Sequence, residues 1–394
     1  VSMYGKFGAI KDAENVLTAM TRRDVVSWTS MLSACVEQNQ GEKGLHYYMK
    51  MLEDGADADE LTFIATLQAC SALTDRQEVY GQSSKEISLE IAEALKVDFH
   101  KKGFAFDIII ANTLMSVYGK CRAVSEAEEV FAKLACPDIV TWSVMFSVYA
   151  DSGLGDKTVS LYKHIQKFHR EITVNDTALT CVLQACSDMG NLGTCEEIHF
   201  ILTSENYDQT LSISATLIHA YGGCACMLDA QYVFDHLHTP DIVAWTSCCA
   251  GHAEAGNFLS LAQLLVSSVM FGVHPDEVMF SSVLVVCSHS GLIDVGLQCF
   301  VTMTKDYNTC PNTKHYAILL DLLGRSGRFG MVENILKRMP IVADFSLWLG
   351  LLGACGRHAN LELAEQVFDK ALTLQPEEAT AYVMMSNIYA QYHN

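Results

Sequence analysis

Four stretches carry one phrase: Asp24-Val25-Val26-Ser27-Trp28, Asp138-Ile139-Val140-Thr141-Trp142, Asp241-Ile242-Val243-Ala244-Trp245 and Asp344-Phe345-Ser346-Leu347-Trp348. Each is an aspartate with a tryptophan four residues on. Trp142, Trp245 and Trp348 lie 103 residues apart, and Trp28 precedes Trp142 by 114. A phrase that returns at a fixed distance marks a repeat architecture, and this one sets the frame for everything else.

The interval of 103 divides into three unequal repeats. Between Ile139 and Asp241 these are 139–175, 176–210 and 211–241, of 37, 35 and 31 residues. The next triplet, 242–344, divides at 276 and 312 into repeats of 35, 36 and 32. The first triplet, 25–138, divides at 59 and 107, and its middle repeat has 48 residues. The excess falls around 75–88, between that repeat's two helices, where a turn absorbs extra residues more cheaply than a helix interior. The eleventh residue of successive repeats is Cys35, Cys70, Tyr118, Tyr149, Cys186, Tyr221, His252, Cys287, Leu323 and Cys355. A cysteine that recurs in one column is a small buried hydrophobe, because metal ligation needs pairs at turn spacing.

Within a repeat, apolar residues return at steps of three and four. Ile109, Leu114, Val117 and Tyr118 lead to Gly119-Lys120-Cys121, which reads as a turn, and Ala127, Val130, Phe131 and Leu134 follow. Two amphipathic helices joined by a short turn are expected. Neither helix can bury its face alone, so neighbours must stack. The fold class expected is all-α, a right-handed α-solenoid of helix-turn-helix repeats of about 31–37 residues.

Composition bounds the function. The chain has 394 residues, is half apolar, is 18% charged and holds six prolines, which excludes disorder. No run of 18 apolar residues occurs, so no membrane-spanning helix is expected. Fifteen cysteines, an odd number in a long chain, suit a reduced compartment. The first residue is Val1, so a fragment of a longer protein is expected, with any targeting peptide upstream. The net charge of −20 opposes phosphate binding, which draws on Lys and Arg. Seven of those charges, Asp24, Asp59, Asp107, Asp138, Asp241, Asp276 and Asp344, end repeats; without them the balance is still −13.

The rotating lengths and several phrases resemble the PLS subclass of plant-type pentatricopeptide repeat proteins. Asp24-Val25-Val26-Ser27-Trp28-Thr29 resembles the opening of the P type, and the segment Asp276 to Leu284 with Cys287 to Leu292 that of the L type. Ile110 to Cys121, Ile-Ala-Asn-Thr-Leu-Met-Ser-Val-Tyr-Gly-Lys-Cys, resembles the S type. His315 to Arg328 is similar to the last S repeat of such proteins, Trp348 to His358 to their first extension motif and Tyr382 to Tyr389 to the start of the second. On this resemblance residues 1–24 are a partial S repeat, 25–138, 139–241 and 242–344 are P-L-S triplets, and 345–394 are tetratricopeptide-like extension motifs, the second truncated.

The resemblance implies sequence-specific binding of single-stranded RNA in mitochondria or chloroplasts, for RNA processing or selection of a cytidine for C-to-U editing. It implies one base per repeat, read by the fifth and last residues, with neither DNA nor a membrane as partner. Editing-complex proteins could be met through the extension motifs. Carried onto this chain, Thr29 with Asp59 and Thr246 with Asp276 resemble G readers, Asn112 with Asp138 a U reader, and Ser143 with Asn175 an A reader. Ala215 with Asp241 and Ala317 with Asp344 lack a polar fifth residue. The L repeats, with Ile64, Thr180 and Ser281 in fifth place, depart from a readable code. The implied site is G-x-U-A-x-purine-G, written 5′ to 3′ along the chain. No cofactor is implied.

Simpler roles compete. An aspartate just before a helix is also an N-cap, so Asp59, Asp138, Asp241 and Asp276 would cap without RNA. The tryptophans suit packing better than base stacking. The segment is expected to be non-catalytic. A zinc deaminase needs His-x-Glu with a downstream Pro-Cys-x-x-Cys; His252-Ala253-Glu254 has only the first half, and Cys224-Ala225-Cys226 has the wrong spacing. Any deaminase domain would lie beyond Asn394. The acidity implies weak, salt-sensitive RNA binding, or a diverged copy of the array. A tetratricopeptide-like protein-binding scaffold remains the alternative, suited by residues 361–389 but opposed by the unequal repeat lengths.

Overall fold

A computed structural model describes residues 1–74, 78–79, 82–104, 107–168, 174–204, 211–339, 343–358 and 360–392. They form two compact bodies, Val1–Met189 and Gly190–Asn394. Both are stacks of helical hairpins, so the all-α solenoid class holds.

In the first body the leading helices of the hairpins are α1 (Ser2–Lys6), α3 (Val25–Glu37), α5 (Glu60–Leu73), α7 (Ile108–Cys121), α9 (Ile139–Asp151) and α11 (Asp176–Met189). Each packs on the next leading helix. The second helices are α2 (Ile10–Ala19), α4 (Gly41–Glu53), α6 (Ser84–Lys101), α8 (Val124–Lys133) and α10 (Gly155–Phe168). Each second helix wedges against the two leading helices that flank it. In the second body α12 (Leu192–Ser204) precedes the leading helices α13 (Leu211–Gly223), α15 (Ile242–Glu254), α17 (Glu277–Ser290), α19 (Thr313–Arg325), α21 (Phe345–Arg357) and α23 (Ala379–Tyr392). Between them come α14 (Met227–Asp235), α16 (Phe258–Met270), α18 (Ile293–Lys305), α20 (Phe329–Arg338) and α22 (Leu361–Leu374).

Local chemistry sets the starts of the leading helices. Asp24, Asp59, Asp107, Asp138, Asp241, Asp276 and Asp344 each accept a backbone N–H of the helix that follows, at 2.8 or 2.9 Å. The carboxylate satisfies an amide that has no partner inside the helix and faces the positive end of the helix dipole. Asn175 and Asn312 do the same at 3.0 and 3.2 Å.

The core lies between leading and second helices. Met31, Leu32, Phe63, Leu67, Ile110, Leu114, Met115 and Phe146 are fully buried in the first body. Trp28, Trp142 and Trp245 are buried and therefore packing residues. Trp142 meets Phe131 of α8 edge-on at 4.8 Å, and Trp245 meets Phe234 of α14 likewise at 4.7 Å. The five cysteines of the eleventh column have no exposed surface. In the same column the polar members tie repeats together. Tyr118 donates to Glu93, Tyr149 donates to Glu128 at 2.9 Å, Tyr221 meets His199 at 2.8 Å and His252 meets Gln231 at 3.0 Å. Each bond joins a leading helix to the second helix before it.

Three expectations change. Gly119-Lys120-Cys121 is not a turn; α7 runs through it and ends at Arg122, which takes the left-handed conformation at φ 60°. Gly119 is there for close approach, since a Cβ would stand 2.9 Å from Cγ2 of Val148. Ile109 does not face the core but is exposed. The long repeat spends part of its excess inside a helix, because Ser84–Ser88 open α6, an 18-residue helix. Before it, Glu78–Val79 and Gln82–Ser83 pair as antiparallel two-residue strands, while residues 75–77 and 80–81 of the expected insertion lie outside the described residues.

Gly41 opens α4 where a Cβ would sit 2.4 Å from the carbonyl oxygen of Ala69. Backbone cannot yield as a side chain can, so Gly41→Ala should destabilise by roughly 1–3 kcal/mol. Gly193→Ala, in open space within α12, should be neutral or stabilising by up to about 1 kcal/mol. Thermal melts followed by circular dichroism separate the two, and equal midpoints would contradict the packing described.

Candidate nucleic-acid interface

The expected reading residues sit in the first turn and a half of leading helices, at the end that carries the cap. In the repeat 139–175, the hydroxyl of Ser143 lies 3.0 Å from Oδ1 of Asn175 and 2.7 Å from the carbonyl oxygen of Ile139, two acceptors for its one proton. Asn175 uses that same Oδ1 to cap α11 through the N–H of Ala178. Fifth and last residues of this repeat thus touch directly.

The other polar pairs are joined in their own ways. Thr29 lies 2.9 Å from the hydroxyl of Thr62, which donates to Oδ1 of Asp59 at 2.6 Å. Asn112 hydrogen-bonds to Asp138, while its own Oδ1 is buried with no partner among the described residues. Thr246 donates to the carbonyl of Ile242 at 2.6 Å, with Oδ2 of Asp276 at 3.5 Å, the long limit of a bond.

The pairs without a polar fifth residue differ. Ala215 is buried and brings no hydrogen-bonding group beside Asp241, which caps α15 through Ala244. Ala317 and Asp344 line one hollow of about 480 Å³ with Lys314, Asp321 and Ser346. Among the L repeats, Ser281 is closed off: its hydroxyl meets Nε2 of the fully buried His315 at 3.2 Å, and Nδ1 of that ring lies 2.7 Å from Oδ1 of Asn312. Thr180 bonds only back to the carbonyl of Asp176 among the contacts of the described residues.

One group of residues escaped the sequence reading. The second residue of many repeats is apolar and exposed: Val26, Leu61, Ile109, Val140, Val243 and Val278 are 47–65% exposed. Val26 and Leu61 flank a hollow of about 250 Å³ whose remaining lining includes Thr29, Ser30, Ser33 and Asp59. Apolar walls with polar groups between them form the lining a planar heterocycle needs, and the volume falls below that of typical drug-sized sites, about 300–1,000 Å³. The signal in the sequence was an apolar residue two places after six of the caps, of which periodicity counts Ile109 alone with the core.

Comparison with known proteins agrees with this geometry. The family profile for the PPR repeat matches residues 26–55, 109–135 and 140–169. The chain carries pentatricopeptide repeats. It is 29% identical over 391 residues to the chloroplastic pentatricopeptide repeat-containing protein CRR2 of Arabidopsis thaliana, covering 99% of this chain and 58% of that protein. It is also 29% identical to the mitochondrial pentatricopeptide repeat-containing protein At2g03880 of that plant, covering 99% of this chain and 59% of the relative. The chain therefore spans little more than half the length of these relatives. The fold matches that of the pentatricopeptide repeat protein PPR10 from maize with a TM-score of 0.72 at 17% identity, over 99% of this chain and 55% of that one. PPR10 in complex with an 18-nt psaJ RNA element matches with a TM-score of 0.73 at 16% identity, over 99% and 57%.

The Asp138 cap is electrostatically tuned. Burial pushes the Asp138 carboxyl up, but hydrogen bonds from the N–H and hydroxyl of Thr141 and from Asn112 outweigh it and hold the pKa below 3.8. A depressed carboxyl stabilises the fold above its unfolded pKa, and that stability is lost as pH falls through the folded value. Thr141→Val should raise the Asp138 pKa towards 3.8 and move the onset of acid unfolding of the first body to higher pH. Carbon-detected NMR titration of the carboxyl measures it; an unmoved Asp138 would remove Thr141 from the network.

Proposed function

We propose that the repeats bind single-stranded RNA, one base to a repeat, with the fifth and last residues presenting hydrogen-bonding groups to the base edge. The observation that carries this reading is the direct contact between Ser143 and Asn175, with direct counterparts in the repeats that begin at Ile108 and Ile242 and one relayed through Thr62 in the repeat that begins at Val25. Such a bond fixes which groups each pair has left to offer.

Counting protons supports the bases assigned. A hydroxyl has one proton. Thr62 gives its proton to the Asp59 carboxylate, so that of Thr29 goes to Thr62 or to the Val25 carbonyl. Thr29 and Asp59 are then left with lone pairs only. Guanine alone offers two neighbouring donors, N1–H and N2–H, on its pairing edge. Thr246, whose proton goes to the Ile242 carbonyl or to Asp276, makes the same offer with Asp276. Ser143 keeps a lone pair and Asn175 its amide N–H groups, an acceptor and a donor that complement the adenine edge. The unpartnered Oδ1 of Asn112 calls for a donor, which N3–H of uracil supplies and N3 of cytosine lacks. That oxygen is buried in the free protein, so the base must displace what covers it to reach the acceptor. The exposed Val26, Ile109, Val140 and Val243 offer apolar surface to the faces of unpaired bases.

On this reading the site runs G-x-U-A-x-purine-G, 5′ to 3′ in chain order. The reading extends to a PLS-type protein acting in a mitochondrion or chloroplast on RNA processing, such as the choice of a cytidine for C-to-U editing. Partner proteins of an editing complex would meet residues 345–394. A protein partner is also the second reading, favoured by an apolar hollow of about 700 Å³ between α16 and α18, lined by Leu265, Val266, Val269, Phe280 and Val283.

Selection from a single-stranded RNA library tests the first reading. G should be enriched opposite residues 25–59, U opposite 108–138, A opposite 139–175 and G opposite 242–276. Asn112→Thr should turn the preference opposite 108–138 from U to G by roughly 1–3 kcal/mol, the scale of one base discrimination. A flat profile, or preferences indifferent to Asn112, would sink it in favour of the protein partner.

A further inference from the structure

Two repeats bear the same pair, threonine fifth and aspartate last, yet the pairs are wired differently. We propose that the third residue of the following helix decides how strictly such a pair reads, and that Thr62 makes the repeat 25–59 a stricter G reader than the repeat 242–276. This rests on the RNA reading above and adds a positioning residue to it.

Thr62 is fully buried and therefore cannot touch a base. It acts on both members of the pair. Its N–H and hydroxyl converge on Oδ1 of Asp59 at 2.9 and 2.6 Å, and its hydroxyl oxygen stands 2.9 Å from that of Thr29. Oδ1 is fully engaged, so Oδ2 is the oxygen left for a ligand, and the carboxylate cannot rotate without breaking two bonds. The proton of Thr62 is committed to the carboxylate, which has none to return. Thr29 is thereby held as an acceptor beside an acceptor before any ligand arrives.

The repeat 242–276 has Met279 in that place, buried and without a hydroxyl. Oδ1 of Asp276 meets only backbone, the N–H groups of Val278 and Met279 at 3.1 and 2.9 Å. The proton of Thr246 then has two acceptors, the Ile242 carbonyl at 2.6 Å and Oδ2 of Asp276 at 3.5 Å. When it turns to Asp276 it consumes the oxygen that a guanine needs, and among the described residues no neighbouring side-chain hydroxyl stands beside Thr246 to hold it otherwise. Groups held in their bound geometry lose less freedom on binding and tolerate a wrong partner less. Two repeats with identical reading residues should therefore discriminate unequally.

The test uses the full chain and an oligonucleotide containing 5′-GCUACAG-3′, with copies bearing A for the first or for the last G. In the unaltered chain, changing the first G should weaken binding more than changing the last. Thr62→Val, which keeps the shape and deletes the hydroxyl, should lower G-over-A discrimination at the first position about two- to tenfold, the worth of one neutral hydrogen bond. Thr62→Ser should restore it, and neither should move the last position. Met279→Thr should raise discrimination at the last position by a similar factor. Equal behaviour of the valine and serine variants, equal strictness at both positions of the unaltered chain, or no gain from Met279→Thr would overturn the role of the third residue while leaving specific binding intact. Equal binding of all oligonucleotides by the unaltered chain would instead overturn the RNA reading and this proposal with it.

Discussion

The rest of the structure depends on a single oxygen atom, the Oδ1 that ends a repeat and caps the next leading helix. Among the described residues nine such caps are made by the residues that close repeats, seven by aspartate and two by asparagine. The cap fixes where each leading helix begins and therefore the register in which it meets its neighbour. It also holds the last residue of one repeat within reach of the fifth residue of the same repeat, one hairpin earlier. Capping and reading had seemed to be rival accounts of these aspartates. The two roles do not exclude each other: Oδ1 serves the helix, and the second oxygen or the amide nitrogen is left over from the cap.

That division of labour explains which parts of the molecule were legible in the sequence. Period, fold class and the capping positions follow from spacing and from the chemistry of aspartate before a helix, and Asp138 with Thr141 is visible to anyone counting three residues on. The expected reader residues do converge where a polar partner exists, as for Ser143 and Asn175. What stayed hidden depends on direction rather than on spacing. Ile109 counts as a core residue by its step to Leu114, yet it is exposed while Ile110 beside it in the same turn is buried. Gly119 beside Lys120 has the composition of a turn, and only the approach of Val148 reveals it as a contact. Tyr118, Tyr149 and Tyr221 share a column with cysteines, and no local pattern discloses that their hydroxyls reach the preceding second helix.

Acidity is the property hardest to reconcile with a polyanion, and the ion pairs narrow the problem. Lys96 lies between Glu93 and Glu129, Lys133 pairs with Glu129, Lys157 with Glu128 and Arg325 with Asp321. Several of these cations are thus spent on bridging or steadying second helices. The first-turn aspartates add negative charge where a base edge would lie, but a carboxylate already fed by two backbone or hydroxyl donors carries a partly neutralised charge. Binding built this way leans on base edges and base faces more than on phosphates.

The dependence on edges has a structural consequence. A phosphate contact tolerates a side chain that wanders by an ångström, because a point charge attracts over that range. A hydrogen bond to a base does not, since it weakens steeply once length and angle depart from ideal. An array poor in free cations therefore gains selectivity only to the extent that each reading group is held before the ligand arrives. The buried hydroxyls of Thr62 and Thr141, which no ligand could touch, belong to that requirement. So does the closure of Ser281 by His315, where a serine and an asparagine stand in the reading places yet spend their groups on an imidazole. On the proposed reading, fifth and last residues form an alphabet only when the third residue of the next helix leaves them free, and holds them still.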